Sequence, residues 1–365
     1  MSELDTPPVG TSASADLTPE ELQLAARNHG MPLEALRYDL TPAGLHYLLV
    51  HYDIPEAAPD TWHLEIGGAV DRPLTLDLHA LQSCREFSLP VTMECAGNGR
   101  ARLHPRPVSQ PWLFEAVGTA RWHGTRLRPL LESAGLRSDA LEVLFTGADR
   151  GLEGGEEQDY ERSLPLAAAL DEDVLLAWGM NGAPLPPQHG YPLRLIVPGW
   201  YGMCSVKWLR RVTVLTAPYR GYQNERAYRY RQEREEEGEP VTRIAPRALM
   251  VPPGIPEFMT RNRFLRPGEC LLEGRAWSGH GAIARVEVSD NGGRDWSEAA
   301  LDAPVGSRAW HRWSYRWDAR RPGDYELCCR ATDVTGEVQP LHPVWNLGGY
   351  AVNAVQRVLV TVTAA

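Results

Sequence analysis

The sequence predicts an α+β fold in which a mixed α/β domain is followed by an immunoglobulin-like β-sandwich. The chain has 365 residues, of which 43% are hydrophobic, so it is long enough to build two cores. Its 33 glycines and 30 prolines are high for a helical bundle and typical of strands, turns and shaped loops. Helical and strand patterns alternate before about residue 230, whereas short alternating strands dominate after residue 241.

The first ordered element is predicted to be a helix that follows a polar tail. Residues 1–16 are small and polar, and we expect them to be disordered because such a composition cannot bury a core. Thr18 is the predicted N-cap, with Glu21 three residues later as in a capping box, and Gly30 is the predicted stop.

The rest of the first domain, placed at 17–235, is predicted to mix strands and helices. Strand patterns occur at 45–55, 61–70, 88–95, 140–148 and 191–199. Helical patterns occur at 126–135 and 163–171. The charged run 229–240 has no apolar period, so we expect a solvated linker or an exposed arm.

The second domain, placed at 241–365, is predicted to contain only strands and turns. Alternating strands occur at 269–277, 284–289, 310–317, 324–332 and 355–363, with the turn sequences DNGG, RPGD and VTGE between them. This spacing is typical of an immunoglobulin-like sandwich. Six tryptophans are predicted as its core and face aromatics: Trp277, Trp296, Trp310, Trp313, Trp317 and Trp345.

Composition excludes several classes of function. A net charge of -10 argues against general nucleic-acid binding, which requires a basic surface. No apolar stretch approaches the length of a membrane span, and the first residues do not have the pattern of a secretory signal. The 6 cysteines have no C-x-x-C pair for zinc or haem and are too few for a disulfide scaffold, so we expect a cytoplasmic protein.

Cys95 lies at the end of a predicted strand, in the segment VTMECAGNGR at 91–100. The next four residues, Ala-Gly-Asn-Gly, are small enough for the backbone to approach a bound group closely. Arg100 then supplies a fixed cation with a planar hydrogen-bonding fork. A thiolate beside positive charge suits a soft, high-valent metal next to an anion site, although a cysteine before a glycine loop taken alone is more often structural.

This segment resembles the metal-binding loop of the sulfite oxidase family of molybdopterin oxidoreductases, in its haem-free bacterial form. Further motifs follow in the family's order from about residue 25 onward. They are WHLEIGGAVDRPLTL, PWLFEAVGTARWHGTRL, LLAWGMNGAPLPPQHGYPLRLIVPGWYGMCSVKWL and AWSGHGAIARVEVSDNGGRDW. The resemblance implies a catalytic domain of the sulfite oxidase type, a molybdenum pterin dithiolene as cofactor, and a homodimer formed through the second domain.

Carried over by position, the resemblance makes Cys95 the protein ligand of the metal. The segment 174–209 resembles the family's pterin-binding stretch, and the implied contacts to the pterin or its phosphate are His189, Arg194 and Lys207, with backbone groups near Ser205 and Val206. His51 and Asp149 match further pterin-contact positions. Outside these motifs, the histidines would be ordinary packed or surface residues and Asp149 a common turn residue.

The implied substrate pocket departs from the family pattern. Arg100 is retained, but two further family arginines appear as Leu49 and Gly281. Charge-assisted contacts favour the binding of a dianion such as sulfite, so the loss of two cations leaves the identity of the substrate open. A pocket tyrosine is expected near 217–232. Tyr228 is the preferred candidate, with Tyr222 and Tyr230 as alternatives. Trp112 matches an aromatic residue of the pocket wall. His280, next to Gly281, could supply a cation where the family arginine is missing.

The resemblance implies two-electron oxygen-atom transfer on a small oxyanion or sulfur compound. Cys95, Arg100 and Tyr228 are the implied catalytic residues, and an external acceptor is expected because the sequence has no haem-attachment motif. One alternative is a reductase of S-oxides or N-oxides with the same cofactor. Another is an interaction protein whose pterin domain is vestigial.

Overall fold

The computed structural model describes residues 11–12 and 17–364, and the fold is rich in strands with few helices, as the sequence predicts. Within these residues the α-helices are α1 (Pro19–Arg27), α2 (Leu78–Gln82), α3 (Leu127–Ala134), α4 (Leu166–Ala169) and α5 (Tyr222–Glu225). Short 3-10 helices lie at Leu33–Arg37, Ala43–Leu45, Arg100–Arg102, Pro187–His189 and Gly202–Cys204. No helix in this part of the chain is long and apolar enough to cross a membrane.

The N-terminal part is built on two five-stranded sheets. Its strands are β1 (Thr11–Ser12), β2 (His63–Gly68), β3 (Leu74–Asp77), β4 (Phe87–Glu94), β5 (Arg106–Pro107), β6 (Val117–Arg126), β7 (Glu142–Glu153), β8 (Glu156–Pro165), β9 (Leu175–Met180), β10 (Ala183–Pro184), β11 (Arg194–Ile196), β12 (Leu209–Leu215), β13 (Arg229–Tyr230) and β14 (Glu239–Pro240). One sheet has the order β10-β9-β6-β4, with β11 also paired to β9, and the other has the order β3-β2-β12-β7-β8. Only the β2–β12 pair is parallel among the strands of these two sheets.

The C-terminal part is a sandwich of a four-stranded and a six-stranded sheet. Its strands are β15 (Arg247–Met250), β16 (Ile255–Pro256), β17 (Arg263–Leu265), β18 (Gly268–Trp277), β19 (Ile283–Ser289), β20 (Ser297–Glu298), β21 (Ala300–Leu301), β22 (His311–Ala319), β23 (Gly323–Asp333) and β24 (Gln356–Val362). The sheet orders are β15-β18-β22-β21 and β16-β17-β24-β23-β19-β20. The five long strands that the sequence predicts are therefore present.

Helix α1 begins as predicted and ends earlier than predicted. The Thr18 hydroxyl accepts from the Glu21 amide while the Glu21 carboxylate accepts from the Thr18 amide, which completes the capping box. The helix ends at Arg27, and the Asn28 side chain donates to the carbonyl of Leu24 at 3.0 Å. The predicted tail at 1–16 lies outside the described residues, apart from Thr11–Ser12 in β1.

The strand predicted at 45–55 is absent, and the prediction was wrong for a physical reason. The segment is irregular, with a single bridge from Leu48 to His29. Its carbonyl groups are taken by a side chain in place of a neighbouring strand, because the Arg27 guanidinium donates to the carbonyls of residues 50, 51 and 52. Alternating apolar residues in this segment therefore line a cavity and do not form a ladder.

Three of the six predicted sandwich tryptophans contact the N-terminal part, namely Trp277, Trp310 and Trp345, whose indole donates to the Pro105 carbonyl at 2.9 Å. Trp313 and Trp317 belong to the sandwich core. Trp277 and Trp310 instead join the core of the N-terminal part, where the Trp310 indole donates to the Asp39 carbonyl at 2.9 Å. Their strands supply one wall of the junction between the two parts of the chain.

The charged run 229–240 forms a hairpin, so it is not an unstructured linker. Strands β13 and β14 pair at its two ends, and residues 232–237 between them are exposed as expected. Arg229 is buried and donates to the carbonyls of Glu237 and Gly238. The sequence pattern gave no sign of this buried arginine, because the run has no apolar period.

Candidate functional site

Strand β4 ends at Glu94 and delivers Cys95 into a buried loop. The Cys95 carbonyl accepts from the Asn98 amide at 3.0 Å, and the Gly97 carbonyl accepts from the Arg100 amide at 3.1 Å, which turns the chain tightly. The Asn98 side chain then ties the loop to β6, because its oxygen accepts from the Ala116 amide at 3.2 Å. The thiol is 7% exposed and is held at a fixed position.

The C-terminal part closes over the same loop. The Ala351 amide donates to the Ala96 carbonyl at 2.7 Å. Gly99 has a φ of +97°, and a Cβ there would overlap the carbonyl oxygen of Val352. Only glycine combines the left-handed backbone with so close an approach.

A buried ion pair joins the two parts directly behind Cys95. Glu94 and Arg247 are 2.9 Å apart with side chains 1% exposed, and Trp277 donates to the second Glu94 oxygen at 2.7 Å. The Arg247 guanidinium also donates to the carbonyls of Asn98 and Val352. Burial raises the pKa of Glu94, although Arg247, Trp277 and Asn98 oppose this shift by favouring the carboxylate.

A cavity next to the thiol gathers most of the residues singled out from the sequence. Those that line it are His51, Cys95, Asp149, His189, Arg194, Ser205, Lys207 and Tyr228. They come from β4, β7, β11 and the segments around them, so the fold collects residues that are far apart in sequence. Leu49 also lines the cavity, as its correspondence to a family pocket position suggests.

The basic residues of the cavity are fixed by backbone carbonyl groups. Arg194 donates to the carbonyls of His189 at 2.9 Å and Ser205 at 3.2 Å. Lys207 donates to the carbonyl of Leu49 at 2.7 Å. Because carbonyl acceptors are neutral, both cations keep their charge available for an anion.

Burial controls the protonation of the cavity. It lowers the pKa of His51 to about 3 and that of His46 to about 4, and nearby cations add to the shift. Burial also lowers the pKa of Lys207 and raises that of Asp149, while their mutual attraction opposes both shifts. The histidines are therefore neutral hydrogen-bonding groups at physiological pH.

Cys95 and Tyr228 keep their protons in this environment. Burial raises the pKa of the Cys95 thiol, and Arg100, the Gly97 backbone and Trp112 each lower it by a smaller amount. Burial also raises the pKa of Tyr228 well above its usual value. The Tyr228 hydroxyl lies 2.6 Å from Nε2 of His51, so the two side chains form one hydrogen-bonded unit.

Four residues other than the aromatic candidates were singled out from the sequence and lie outside the cavity. Arg100 lines a neighbouring cavity, where it donates to the Gly348 carbonyl at 3.0 Å and to the Ser109 hydroxyl at 3.1 Å. Val206 is buried in the core of the N-terminal part, and its carbonyl accepts from the Leu195 amide. Gly281 lines a different cavity with Trp277, and His280 is exposed beside Glu337, so the correspondence of this segment to the Cys95 pocket was wrong.

The remaining aromatic candidates are distributed around the site. Trp112 is buried in the same apolar cluster as Cys95. Tyr222 lines the cavity that contains Arg100, and Tyr230 lies in β13. Among the three tyrosines proposed for the pocket, Tyr228 is the one that shares a cavity with Cys95.

Sequence reasoning missed several lining residues, which are His46, Tyr47, Met93, Tyr160 and Met203. Met93 follows the period of β4, two residues before Cys95, and could have been found from that alternation. His46 lies in the irregular segment 45–55 and belongs to no binding motif, so no local signal marks it as a lining residue.

Comparison with known proteins assigns the family. Residues 51–223 match the family described as "Oxidoreductase molybdopterin binding domain", and residues 249–363 match "Mo-co oxidoreductase dimerisation domain". The sulfite oxidase of Gallus gallus is 36% identical over 338 residues, which is 87% of this chain and 72% of that protein. The chain belongs to the sulfite oxidase family of molybdopterin oxidoreductases.

Other similar proteins extend this picture. The mitochondrial sulfite oxidase of Rattus norvegicus is 36% identical over 88% of this chain, and the chain spans 62% of the length of that protein. A nitrate reductase [NADH] of Hordeum vulgare is 33% identical over 88% of this chain and 38% of its own length. The sulfane dehydrogenase SoxCD from Paracoccus pantotrophus has the same fold, with a TM-score of 0.78 over 100% of this chain and 96% of that chain at 24% identity.

The cavity fits the molybdenum pterin that the sulfite oxidase family carries. Several buried polar atoms of its lining have no hydrogen-bond partner in the protein, namely Nε2 of His46, Oδ1 of Asp149 and Nε of Arg194. Buried polar atoms without partners are costly, so a polar ligand is expected to satisfy them.

Proposed function

We propose that this protein is a molybdenum-dependent oxidoreductase that performs two-electron oxygen-atom transfer on a small sulfur oxyanion or sulfur compound. The observation that carries the proposal is the buried Cys95 thiol, which faces a cavity lined by Arg194, Lys207 and unpartnered polar atoms. When bound, the molybdenum pterin supplies the two-electron redox change.

The protein groups have separate roles in this proposal. Cys95 would hold the metal as a thiolate, because thiolate is the ligating form of cysteine. Arg194 and Lys207 hold the pterin phosphate through charge-assisted hydrogen bonds, with His189 and backbone groups near Ser205 and Val206 beside them. His51 and Asp149 add further polar contacts to the pterin.

Tyr228 and Arg100 act on the substrate. With the proton on Nε2, neutral His51 donates to the Tyr228 oxygen and leaves the tyrosine hydroxyl free to donate into the cavity. Arg100 lies against the Cys95 loop, because a Cβ at Gly97 would be 2.7 Å from its Cζ. From there its charge favours an approaching anion.

The proposal extends to the partners of the enzyme. The C-terminal part matches a dimerisation family, which supports a homodimer. Electrons pass to an external acceptor, and the enzyme works in the cytoplasm.

The decisive experiment replaces Cys95 by serine in protein from a molybdate-fed culture. Outer partners of a metal site already contribute about 10- to 100-fold to affinity or activity, so loss of the direct ligand is expected to lower activity by at least about 100-fold. The charge-transfer absorption from the cysteine thiolate to the metal should disappear as well. Cys84→Ser is the control, because Cys84 is half-buried and lies outside the cavity. A Cys95→Ser protein that kept its molybdenum and its absorption unchanged would contradict the proposal.

A reductive direction is the second candidate, and similarity to nitrate reductases supports it. The same cofactor would then reduce S-oxides or N-oxides with electrons from an external donor. Steady-state turnover of sulfite with an acceptor, compared with turnover of a sulfoxide or nitrate with reduced viologen, distinguishes the two. Faster turnover in the second assay would overturn the oxidative assignment.

A further inference from the structure

A second cavity, of about 310 Å³, lies beside the one that contains Cys95. The two are separated by a pair of tyrosines, since Tyr228 lines the first and Tyr350 the second and their ring centroids are 5.1 Å apart. Five arginines line the second cavity, which is here named the arginine vestibule: Arg100, Arg226, Arg229, Arg231 and Arg234.

Part of the positive charge of the arginine vestibule is compensated, because buried Arg229 pairs with the Glu237 carboxylate at 3.2 Å. Arg231 donates to the carbonyls of Glu237 and Glu225, which are neutral acceptors. Arg226 faces Glu156 at 3.6 Å, but both side chains are more than 60% exposed and such a pair is weak. Glu153 is the acidic residue of the lining, and burial raises its pKa.

This charge is local, because the whole protein has a net charge of -10. A concave cationic surface on an acidic protein attracts anions to this site, whereas most of the remaining surface repels them. Three of the arginines, Arg229, Arg231 and Arg234, come from the hairpin 229–240 and its exposed turn. The hairpin therefore places cations at the second cavity, whereas the Cys95 cavity has Leu49 at a position where the family carries an arginine.

Size and polarity indicate an organic ligand. A volume of about 310 Å³ is at the lower end of pockets that hold small organic molecules, and an inorganic oxyanion would leave most of it empty. Apolar and aromatic side chains complete the lining, among them Val108, Tyr222, Leu347 and Tyr350. An anion that also carries an apolar body satisfies both parts of this lining.

We propose that the arginine vestibule binds an organic anion, namely the carboxylate- or sulfonate-bearing body of the substrate, while the reacting atom enters the Cys95 cavity. Only the entry of the reacting atom into the Cys95 cavity rests on the proposed function. Binding at two points makes the substrate an organic sulfur compound and not free sulfite.

The test is equilibrium binding to the holoenzyme by titration calorimetry, with benzenesulfonate and inorganic sulfate as probes. Benzenesulfonate is expected to bind more tightly than sulfate because its ring contacts the tyrosines. Arg226→Gln combined with Arg231→Gln should weaken benzenesulfonate binding by about 10-fold or more, as expected for lost charge-assisted contacts. Arg320→Gln is the control, since Arg320 is a 75% exposed side chain in the turn between β22 and β23.

Tyr222→Leu provides a second variant that keeps all five arginines. It should weaken benzenesulfonate binding and leave sulfate binding unchanged. Equal affinities for the two probes, or equal affinities in the wild type and the double arginine variant, would overturn the inference. Because binding is measured without turnover, an enzyme that binds benzenesulfonate as expected but never oxidises a sulfur compound would contradict the proposed function alone.

Discussion

His46 illustrates how burial and chemistry are linked at single residues. Its ring lies in the wall of the Cys95 cavity, edge-on to His189 with centroids 5.6 Å apart, and its Nε2 has no partner in the protein. The ring is therefore neutral, and its Nε2 is left without a hydrogen bond. Protonation would place a second positive charge beside Arg194.

The stability of the cofactor-free protein should consequently depend on pH. Burial lowers the pKa of His46 from 6.5 to about 4, so the unfolded chain binds more protons than the folded one between these values. Stability is then fully present above pH 6.5 and is lost as the pH falls toward 4. Thermal unfolding from pH 7 to 4.5 should show a smaller decrease for His46→Gln, by about 1–3 kcal/mol, than for the wild type.

His342 provides the control for this measurement because it is exposed. His342→Gln should follow the wild-type profile. Parallel profiles for His46→Gln and the wild type would show that the ring of His46 takes up its proton equally well in both states.

At this scale the sequence identifies residues that stand in contiguous motifs. Cys95, Arg194 and Lys207 could be located because they stand in segments that resemble motifs of the sulfite oxidase family. His46 and Tyr160 could not, since each reaches the cavity through tertiary packing and stands in no motif that marks it as a binding residue. Arg100 was found as a cation, but its turn into the neighbouring cavity depends on the loop geometry.

The loop after β4 requires a glycine at position 99, both for its backbone conformation and for its contact with Val352. Gly99 and Gly155 both have positive φ values, +97° and +81°, but a Cβ at Gly155 would meet nothing within 4 Å. An alanine at either position incurs the left-handed strain of about 1–2 kcal/mol. An alanine at Gly99 must in addition displace Val352 from the Cys95 loop.

Gly99→Ala is therefore expected to lower both stability and bound molybdenum, whereas Gly155→Ala lowers stability alone. Melting temperature and molybdenum per chain, measured on both variants, separate these effects. Equal molybdenum content in the two variants would contradict a role for the Val352 contact in shaping the metal loop.

Elements were predicted well where their own backbone hydrogen bonds decide the structure. The strands β2, β4 and β18 follow the alternation of the sequence, and α3 (Leu127–Ala134) lies within the helical pattern predicted at 126–135. The segment 45–55 has a similar alternation, but the Arg27 side chain occupies its carbonyls. A local pattern carries no information about a competing donor that is 23 to 25 residues away.

The whole molecule is joined by the buried Glu94–Arg247 pair. Arg247→Met leaves the Glu94 charge buried without its partner, which is expected to cost about 3–5 kcal/mol. The double variant Glu94→Gln, Arg247→Met removes the charge together with its partner and should recover part of this loss. Urea unfolding of both proteins in the same cofactor state measures the difference.

The exposed pair between Arg316 and Glu269 is the matched control, with side chains 75% and 55% exposed. Arg316→Met should change stability by less than about 1 kcal/mol. A loss as small as this for Arg247→Met would show that the two parts of the chain do not depend on the pair.

The sequence predicted two domains but not the junction between them. Alternation marks Trp277 and Trp310 as inward-facing, yet it cannot say which neighbour they face. The same limit applies to Gly281, where a motif next to Trp277 suggested a place in the Cys95 pocket that the packing of the sandwich does not provide. Contacts between distant parts arise only once both parts are folded.

The contact of Ala351 and Val352 with the loop at 96–99 also determines when the metal loop can be completed during synthesis of the protein. Residue 351 follows residue 96 by 255 positions, which a ribosome needs about 13–50 s to translate. During that interval the nascent metal loop is without its covering segment. Closure of the metal loop is thus expected to be a late event, completed only when the segment that contains Ala351 and Val352 docks.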